Sequence, residues 1–560
     1  MARTTESPAA VPRTAPIAST RTTGSPAALV GRLAFRELVR GAIVWGAVFA
    51  LTLAASVFAY ESTYGTAAER AELLRGIGSN SGIRALFGPA RELDTVTGFT
   101  AWRTLSLLPL VAGVWGLLVA TRLLRGEEDR GRWETILASP LGRARATIAT
   151  LAAIGAGTGV LFALTTGAIV LTAAVQGGIP VGGGLWLALA LCIAAPAFAA
   201  VGALTAQVAP TRRAAAALAG AVFGAAYLVR VAADGSSSLG WLRWLTPLGW
   251  IEEMRPLTGA RPIALLPLLA WIAVLVAASA WIARRRDLGA AALARRDDRP
   301  PRHAGLRSAA SFSLRESLGG LVGWALAMAL TGLIFGFVSK AVADLARTSA
   351  GLREHVRSTT SASIDIASAR GYLALVFIFL AVALSLYAAS HATAAREEEA
   401  TGRLDTLLGQ PVTRRRWLAG RVLVAATCVA VVALVTGVAA WAGAAASGAE
   451  AGLGDLLKAS LNALPVVALF LGLSVLGFAV APRHTGAIGF GLVGFAYLWE
   501  QTGAIVRAPE WVLSISPFHW LALVPAEPFD VSASLAMLAA GATAALVGIE
   551  LFQRRDLVSA

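Results

Sequence analysis

Runs of roughly 20 mainly apolar residues, the length a helix needs to cross about 30 Å of hydrocarbon, recur along the whole chain. With 560 residues, 56% of them hydrophobic and 14% charged, and a mean hydropathy of +0.67, the sequence has far more apolar surface than one soluble core needs. It predicts an all-α integral membrane protein of about twelve transmembrane helices. The expected spans are residues 41–60, 105–124, 148–175, 185–208, 214–232 and 263–282, followed by 321–338, 372–388, 422–444, 461–481, 487–506 and 535–551.

Charge sets the orientation, because cytoplasmic loops retain Lys and Arg. With both termini inside, the basic excess falls in the cytosolic segments and the outer loops are near balance. The net charge of +15 is thus a topology signal and an attraction to anionic membrane lipid, and it gives no reason to expect nucleic-acid binding. Residues 1–26 are rich in Ser, Thr, Pro, Ala and Arg without the apolar core of a secretory signal, so a disordered cytosolic tail is expected and the first span is the targeting signal. Cys192 and Cys428 both fall inside expected spans, which implies neither a disulfide framework nor a zinc site.

The chain repeats itself. Six stretches recur in the same order in its two halves. Arg36, Glu37 and Trp45 return as Arg315, Glu316 and Trp324, in stretches that mix apolar and charged residues as an interfacial elbow helix on the inner leaflet would. After each second span, Glu127-Glu128-x-x-Gly131-Arg132-Trp133-Glu134-Thr135-Ile136-Leu137-x-x-Pro140-Leu141-x-Arg143 matches Glu398-Glu399-x-x-Gly402-Arg403-Leu404-Asp405-Thr406-Leu407-Leu408-x-x-Pro411-Val412-x-Arg414. Ala209-Pro210 matches Ala481-Pro482, and Ala226-Tyr227-Leu228 matches Ala496-Tyr497-Leu498. Trp241, Pro247 and Trp250 match Trp511, Pro517 and Trp520. Arg285-Arg286-Asp287-Leu288 and Arg554-Arg555-Asp556-Leu557 close the halves. Six spans per half is an even number, so the repeats are parallel about an axis along the membrane normal and the chain is a fused pseudo-dimer. Its expected parts are the tail, a first half at 27–289, a cytosolic linker at 290–310 and a second half at 311–560, each half being an elbow helix plus six spans.

Read as helices, the repeated loops put Trp133, Ile136 and Leu137, and likewise Leu404, Leu407 and Leu408, at i, i+3 and i+4, an apolar stripe beside a charged flank. Pro140 and Pro411 end them. Such a helix could lie on lipid, but the leading acid pairs would be repelled by anionic headgroups and would suit basic residues of a protein partner.

The elbow, the duplicated E-E-x-x-G-R-[LW]-[DE]-T-[IL]-L-x-x-P-[LV]-x-R loop and the outer Trp-Pro-Trp segment together resemble the membrane subunit of a type 2 ABC exporter, in the double-length group of polyketide-antibiotic exporters. The resemblance implies that the loops are coupling helices seated in a separate ABC ATPase subunit, present in two copies, with ATP and Mg bound there and no cofactor in this chain. It implies docking through Glu127, Glu128, Gly131, Arg132 and Glu134, and through Glu398, Glu399, Gly402, Arg403 and Asp405. It also implies export of a hydrophobic or amphipathic small molecule, such as an antibiotic, drug or lipid, across a bacterial plasma membrane. The only lysines, Lys340 and Lys458, lie in no phosphate-cradling P-loop, so no ATPase site of its own, and no enzyme activity, is expected.

A second reading is a proton-coupled transporter of the major facilitator kind, since Gly126 to Arg132 is similar to that family's loop, although the second copy lacks the Asp-Arg pair and acids are scarce within the spans. Arg230 aligns with Glu500, two charges at or near membrane depth that could line or gate a pathway, or, for Arg230, snorkel to the outer surface. Trp241, Trp244, Trp250, Trp511 and Trp520 fit an interfacial belt or a substrate-stacking surface, and the five histidines share no metal-ligand spacing.

Overall fold

The structure, a computed structural model, describes residues 25–63, 66–74, 84–85, 87–138, 140–176, 179–235, 237–290, 308–348, 365, 367–505 and 509–557. Residues 1–24 of the expected tail and 291–307 of the expected linker lie outside these, as do His303 and His355. Among the described residues the secondary structure is helical, with no strand, and the protein is a multi-pass membrane protein.

In the first half the long helices are α1 (Pro26–Thr63), α2 (Val96–Thr121), α3 (Arg143–Gln176), α4 (Val181–Val208), α5 (Arg212–Gly235) and α6 (Leu265–Arg285). Their counterparts are α7 (Ala309–Thr348), α8 (Ala369–Ala400), α9 (Arg414–Ser447), α10 (Leu453–Val480), α11 (Thr485–Ile505) and α12 (Val531–Arg554). Eleven are long and apolar enough to cross a membrane among the described residues. The remaining helix, α11, stands in the place of α5. Helices α4 and α10 are each interrupted once, at Ile193 before Pro196 and at Ala463 before Pro465, because proline lacks the N–H donor and its ring crowds the preceding turn.

The separate elbow helices do not form. Residues 33–40 belong to a continuous α1 of 38 residues, and 312–319 to a continuous α7 of 40 residues. Neither junction carries a proline, and the mixed segments pack along the third helix of their own half. Leu38 lies against Gly157 of α3, and Glu316 pairs with Arg421 of α9 at 2.7 Å.

Packing in the apolar bundle is set by close backbone approach. A Cβ on Gly336 of α7 would fall 2.0 Å from the Ala440 carbonyl oxygen of α9, and one on Gly443 of α9 equally close to that of Leu333. Each half closes its own hydrophobic core, one around Phe49, Ile154 and Phe198 and the other around Leu384, Val432 and Phe478, and the two cores share no residue. Both halves run in the same direction. One end of the bundle, the motif end, carries the start of α1, the repeated loops and the end of α6 with their second-half counterparts. The far end carries the Trp-Pro-Trp segments.

Candidate functional site

At the motif end the repeated loops fold alike. Gly131 and Gly402 sit at the helix N-caps with φ of 74° and 70°, the left-handed region that a residue with a Cβ enters at a cost of about 1–2 kcal/mol. Short helices follow, Arg132–Leu137 and Arg403–Leu408, and the chain turns away before Pro140 and Pro411. The apolar stripes face inward. Trp133 is buried with Val30, Leu124 and Ala203, Leu404 is fully buried in the second core, and Leu407 and Leu408 pack beside it.

The acid pairs are also inside. Glu128 accepts hydrogen bonds from both terminal nitrogens of Arg286, one at 2.7 Å, and from the Gly289 N–H at 2.8 Å. Glu399 accepts from Arg555 at 2.6 and 2.8 Å. The structure thus joins the second repeated stretch to the sixth, fastening each loop to the end of the last helix of its half. Arg143 and Arg414 complete the fastening by donating to the carbonyls of Arg286 and Arg555. The first stretch joins as well: Glu37 pairs with Arg132 at 3.8 Å, and Glu316 with Arg403 at 3.7 Å. Glu127 is held by Arg130 at 2.9 Å and Arg132 at 2.8 Å, whereas Glu398 pairs with Arg421. Of the expected docking residues, then, Glu127, Glu128, Glu398 and Glu399 are buried among arginines of this chain, and Gly131 and Gly402 shape the turn. Exposed on the outer face are Arg132, Glu134 and Thr135 in one loop and Arg403, Asp405 and Thr406 in the other.

Besides the different partners of Glu127 and Glu398, the halves differ here in the helix that leads into the loop. The end of α2 widens into a π-turn at Arg122–Gly126, and the buried Arg125 donates to the carbonyls of Pro210 (2.5 Å), Gly289 (3.0 Å) and Ala290 (3.1 Å). Helix α8 continues unbroken to Ala400.

At the far end, Trp250 Nε1 donates to the Trp244 carbonyl at 2.6 Å and Trp520 Nε1 to that of Ser514 at 2.9 Å, so the segments share one alignment, although Pro247–Glu253 is an α-helix and the matching residues 517–523 form turns rather than a helix. Trp241 and Trp511 are exposed, while Trp250 is buried edge-on against Trp271.

Beneath these segments the halves part. Arg230 lies 3.3 Å from both Asp234 and Glu252, and these side chains are only 5%, 0% and 7% exposed. Arg243 pairs with Asp234 at 2.6 Å and Glu252 at 3.8 Å. Glu253 gathers Arg255 at 2.8 Å, Arg261 at 3.2 Å and Arg91 at 3.5 Å. Burial pushes the Glu252 carboxyl up to about 8, against the pull of Arg230. Arg243 is raised: burial acts to lower it and is outweighed by its hydrogen bond to Asp234 and the nearby carboxylates. The cluster leaves a gap of about 20 Å³ beside Arg230 and Glu252, room for about one water.

In the second half the alignment that pairs Trp250 with Trp520 puts Glu500 at Arg230, Leu513 at Arg243, Ala522 at Glu252 and Leu523 at Glu253. Glu500 meets the His519 ring at 3.3 Å. Arg230 and Glu500 are each held within their own half. Where the first half is filled, the second opens into a cavity of about 800 Å³. Sequence reasoning singled out Arg230 and Glu500 but not Asp234, Arg243, Glu252 or Glu253. The i, i+4 spacing of Arg230 and Asp234 was the available signal. Among the described residues no group of His, Cys, Asp or Glu side chains is placed to hold a metal ion.

The family described as "Multidrug efflux system permease Rv1217c, C-terminal domain" matches residues 25–284 and 306–553. The multidrug efflux system permease protein Rv1217c of Mycobacterium tuberculosis is 30% identical over 519 residues, which cover 92% of each chain. With both halves matched and nearly the full length of both chains aligned, this protein belongs to the Rv1217c family of multidrug efflux system permeases.

Proposed function

We propose that this chain is the membrane-spanning permease subunit of an ATP-driven ABC exporter of type 2, in the plasma membrane with both termini cytoplasmic, moving hydrophobic or amphipathic compounds outward. The observation that carries the reading is the duplicated loop: the same left-handed glycine, the same six-residue helix, the same buried acid on the last helix's arginine and the same exposed Arg-x-acid-Thr face. A surface built twice in parallel suits a partner present twice, here a separate ATPase that binds ATP and Mg. The relative's name, a multidrug efflux permease, agrees with the direction and the class of cargo.

On this reading Arg132 and Glu134, with Arg403 and Asp405, meet the ATPase, and Glu128 and Glu399 are positioning residues. Motion of a docked loop passes through the Glu128 to Arg286 and Glu399 to Arg555 pairs into α6 and α12, and through Arg143 and Arg414 into α3 and α9. Two cores that share no residue let the halves rock as bodies.

The test is affinity purification of the full chain from its native membrane in mild detergent, with co-purifying chains identified and counted by mass spectrometry. Two copies of an ABC ATPase are expected, lost in the double variant Glu134→Arg/Asp405→Arg. Recovery of no ATPase with the native chain contradicts the reading.

A further inference from the structure

We propose that the cavity at the motif end of the first half, between the start of α3 and the end of α6, binds the phosphate headgroup of an anionic phospholipid. As a statement about the inner leaflet it rests on the orientation proposed above; as a statement about binding it stands alone.

Space comes first. The cavity holds about 390 Å³, within the range of small-molecule sites, and the repeat shows where the room comes from. In the second half Phe552 packs between Trp417 and Phe478, with ring centroids 5.5 and 5.3 Å apart, and all three are buried. Their counterparts in the first half are Ala283, Ala146 and Ala206. One ring returns from the loop, where Trp133 stands in the place of Leu404 and shares a core with Ala146 and Ala206. Ala283 lines the open space instead. The other lining residues are Gly142, Arg143, Ala144, Arg145 and Arg284, and no carboxylate is among them. Arg143 is engaged with the Arg286 carbonyl. The side chains of Arg145 and Arg284, both exposed, meet no ion-pair or hydrogen-bond partner among the described residues. Guanidinium groups of one sign around a cavity focus the field that draws an anion in, and their forked donors match phosphate oxygens.

The surroundings identify the anion as a lipid. Three positions further into the bundle from Arg145, on the same face of α3, stands Ile148, 46% exposed, and three positions further in from Arg284, on the same face of α6, stands Trp281, 55% exposed. Arg285 lies over the Trp281 ring at 4.1 Å, the pairing of an aromatic and a cation that marks a headgroup boundary. A phosphate between Arg145 and Arg284 therefore leads into an apolar strip on which an acyl chain lies, and basic pockets between spans on the cytoplasmic side are where such headgroups bind. A soluble phosphate would use the arginines and leave the strip bare. In the second half the same positions are held by Ala419 for Ile148, Glu550 for Trp281 and Gln553 for Arg284. Glu550, held by Arg554 at 3.1 Å, puts a carboxylate where the chain would lie, so the site belongs to the first half alone. The Glu128 and Glu399 clamps stay alike, and the difference lies beside them.

The experiment uses the full-length chain in mild detergent and follows lipid binding by native mass spectrometry, comparing cardiolipin, an anionic lipid with two phosphates, with phosphatidylcholine, which has no net charge. Cardiolipin is expected to bind with a Kd at least about tenfold below that of phosphatidylcholine, equivalent to about 1.4 kcal/mol. Arg145→Gln/Arg284→Gln is expected to raise the cardiolipin Kd about thirtyfold, the combined effect of two arginines near a membrane surface. Arg415→Gln/Arg416→Gln removes the same charge from the second half and is expected to leave that Kd within about threefold. Glycerol 3-phosphate, the headgroup without its chains, is expected to leave the lipid bound. Hydrogen exchange of the native chain locates the site without any variant: cardiolipin is expected to slow exchange at residues 142–146 and 283–286 and to leave 413–417 and 552–555 unchanged. Equal affinity for the two lipids, equal weakening by the two double variants, displacement by glycerol 3-phosphate, or equal protection in the two halves overturns the inference. ATPase co-purification without lipid selectivity removes this inference alone, and lipid selectivity without an ATPase removes only the coupling.

Discussion

The two halves of this protein agree at one end and part at the other. At the motif end, Glu128 on Arg286 and Glu399 on Arg555 are the same device built twice. At the far end, one register places a closed ion cluster around Arg230 in the first half and an open acidic, aromatic cavity beside Glu500 in the second. Symmetry is kept where two copies of one partner are expected to dock, and given up where a single asymmetric cargo is expected to sit. The arrangement divides the labour within one fold. The first half's far end is braced by the Arg230, Asp234, Arg243 and Glu252 charges, and the second's carries Glu500 against His519 beside an open cavity.

The largest expected effect separates the far ends. Arg230→Ala leaves Asp234 and Glu252 short of a buried partner and should cost about 3–5 kcal/mol, read as a lowered thermal-unfolding midpoint of the purified chain in detergent. Glu500→Gln, at the edge of a cavity, should stay within about 1 kcal/mol. Equal losses would erase the contrast.

Next come the motif-end clamps. Glu128→Ala and Glu399→Ala should each cost about 3 kcal/mol and agree to within about 1 kcal/mol. The charge-swapped pair Glu399→Arg/Arg555→Glu should recover part of the loss caused by Glu399→Arg alone, as groups in direct contact do. A loss confined to one half would break the symmetry of that end.

A smaller effect isolates the turns. A Cβ on Gly131 meets nothing within 4 Å, so Gly131→Ala tests backbone conformation alone, and with Gly402→Ala it should cost about 1–2 kcal/mol per site. The smallest effect is at the outer face, where Glu134→Arg and Asp405→Arg should each change stability by less than about 0.5 kcal/mol while releasing the ATPase in a pull-down.

The bundle was legible in the sequence because spans announce themselves through length and hydropathy, and the pseudo-dimer because its motifs repeat in order. Residues 33–40 misled, since mixed polarity identifies a surface-lying segment without saying whether the helix bends at its end, and α1 runs straight through. The acid pairs were read as outward-facing because their partners, Arg286 and Arg555, lie far along the chain, and a one-dimensional pattern does not place the end of the last helix against the second loop. That same distance explains the far end. Arg230 was visible as a charge within a span, but Asp234, Arg243, Glu252 and Glu253 read as ordinary charges until the fold drew them into one cluster, Asp234 and Glu252 on Arg230 and Glu253 on Arg243.

The central claim, that ATP hydrolysis by a docked partner drives this permease through two equivalent loops, is most directly tested by transport in proteoliposomes holding the chain with its co-purified ATPase. Rhodamine 6G movement is followed with ATP present and the proton gradient collapsed, then with an imposed gradient and no ATP. The account predicts transport in the first case, abolished by Glu134→Arg/Asp405→Arg, and none in the second. Transport that follows the proton gradient without ATP would contradict it and favour a secondary transporter.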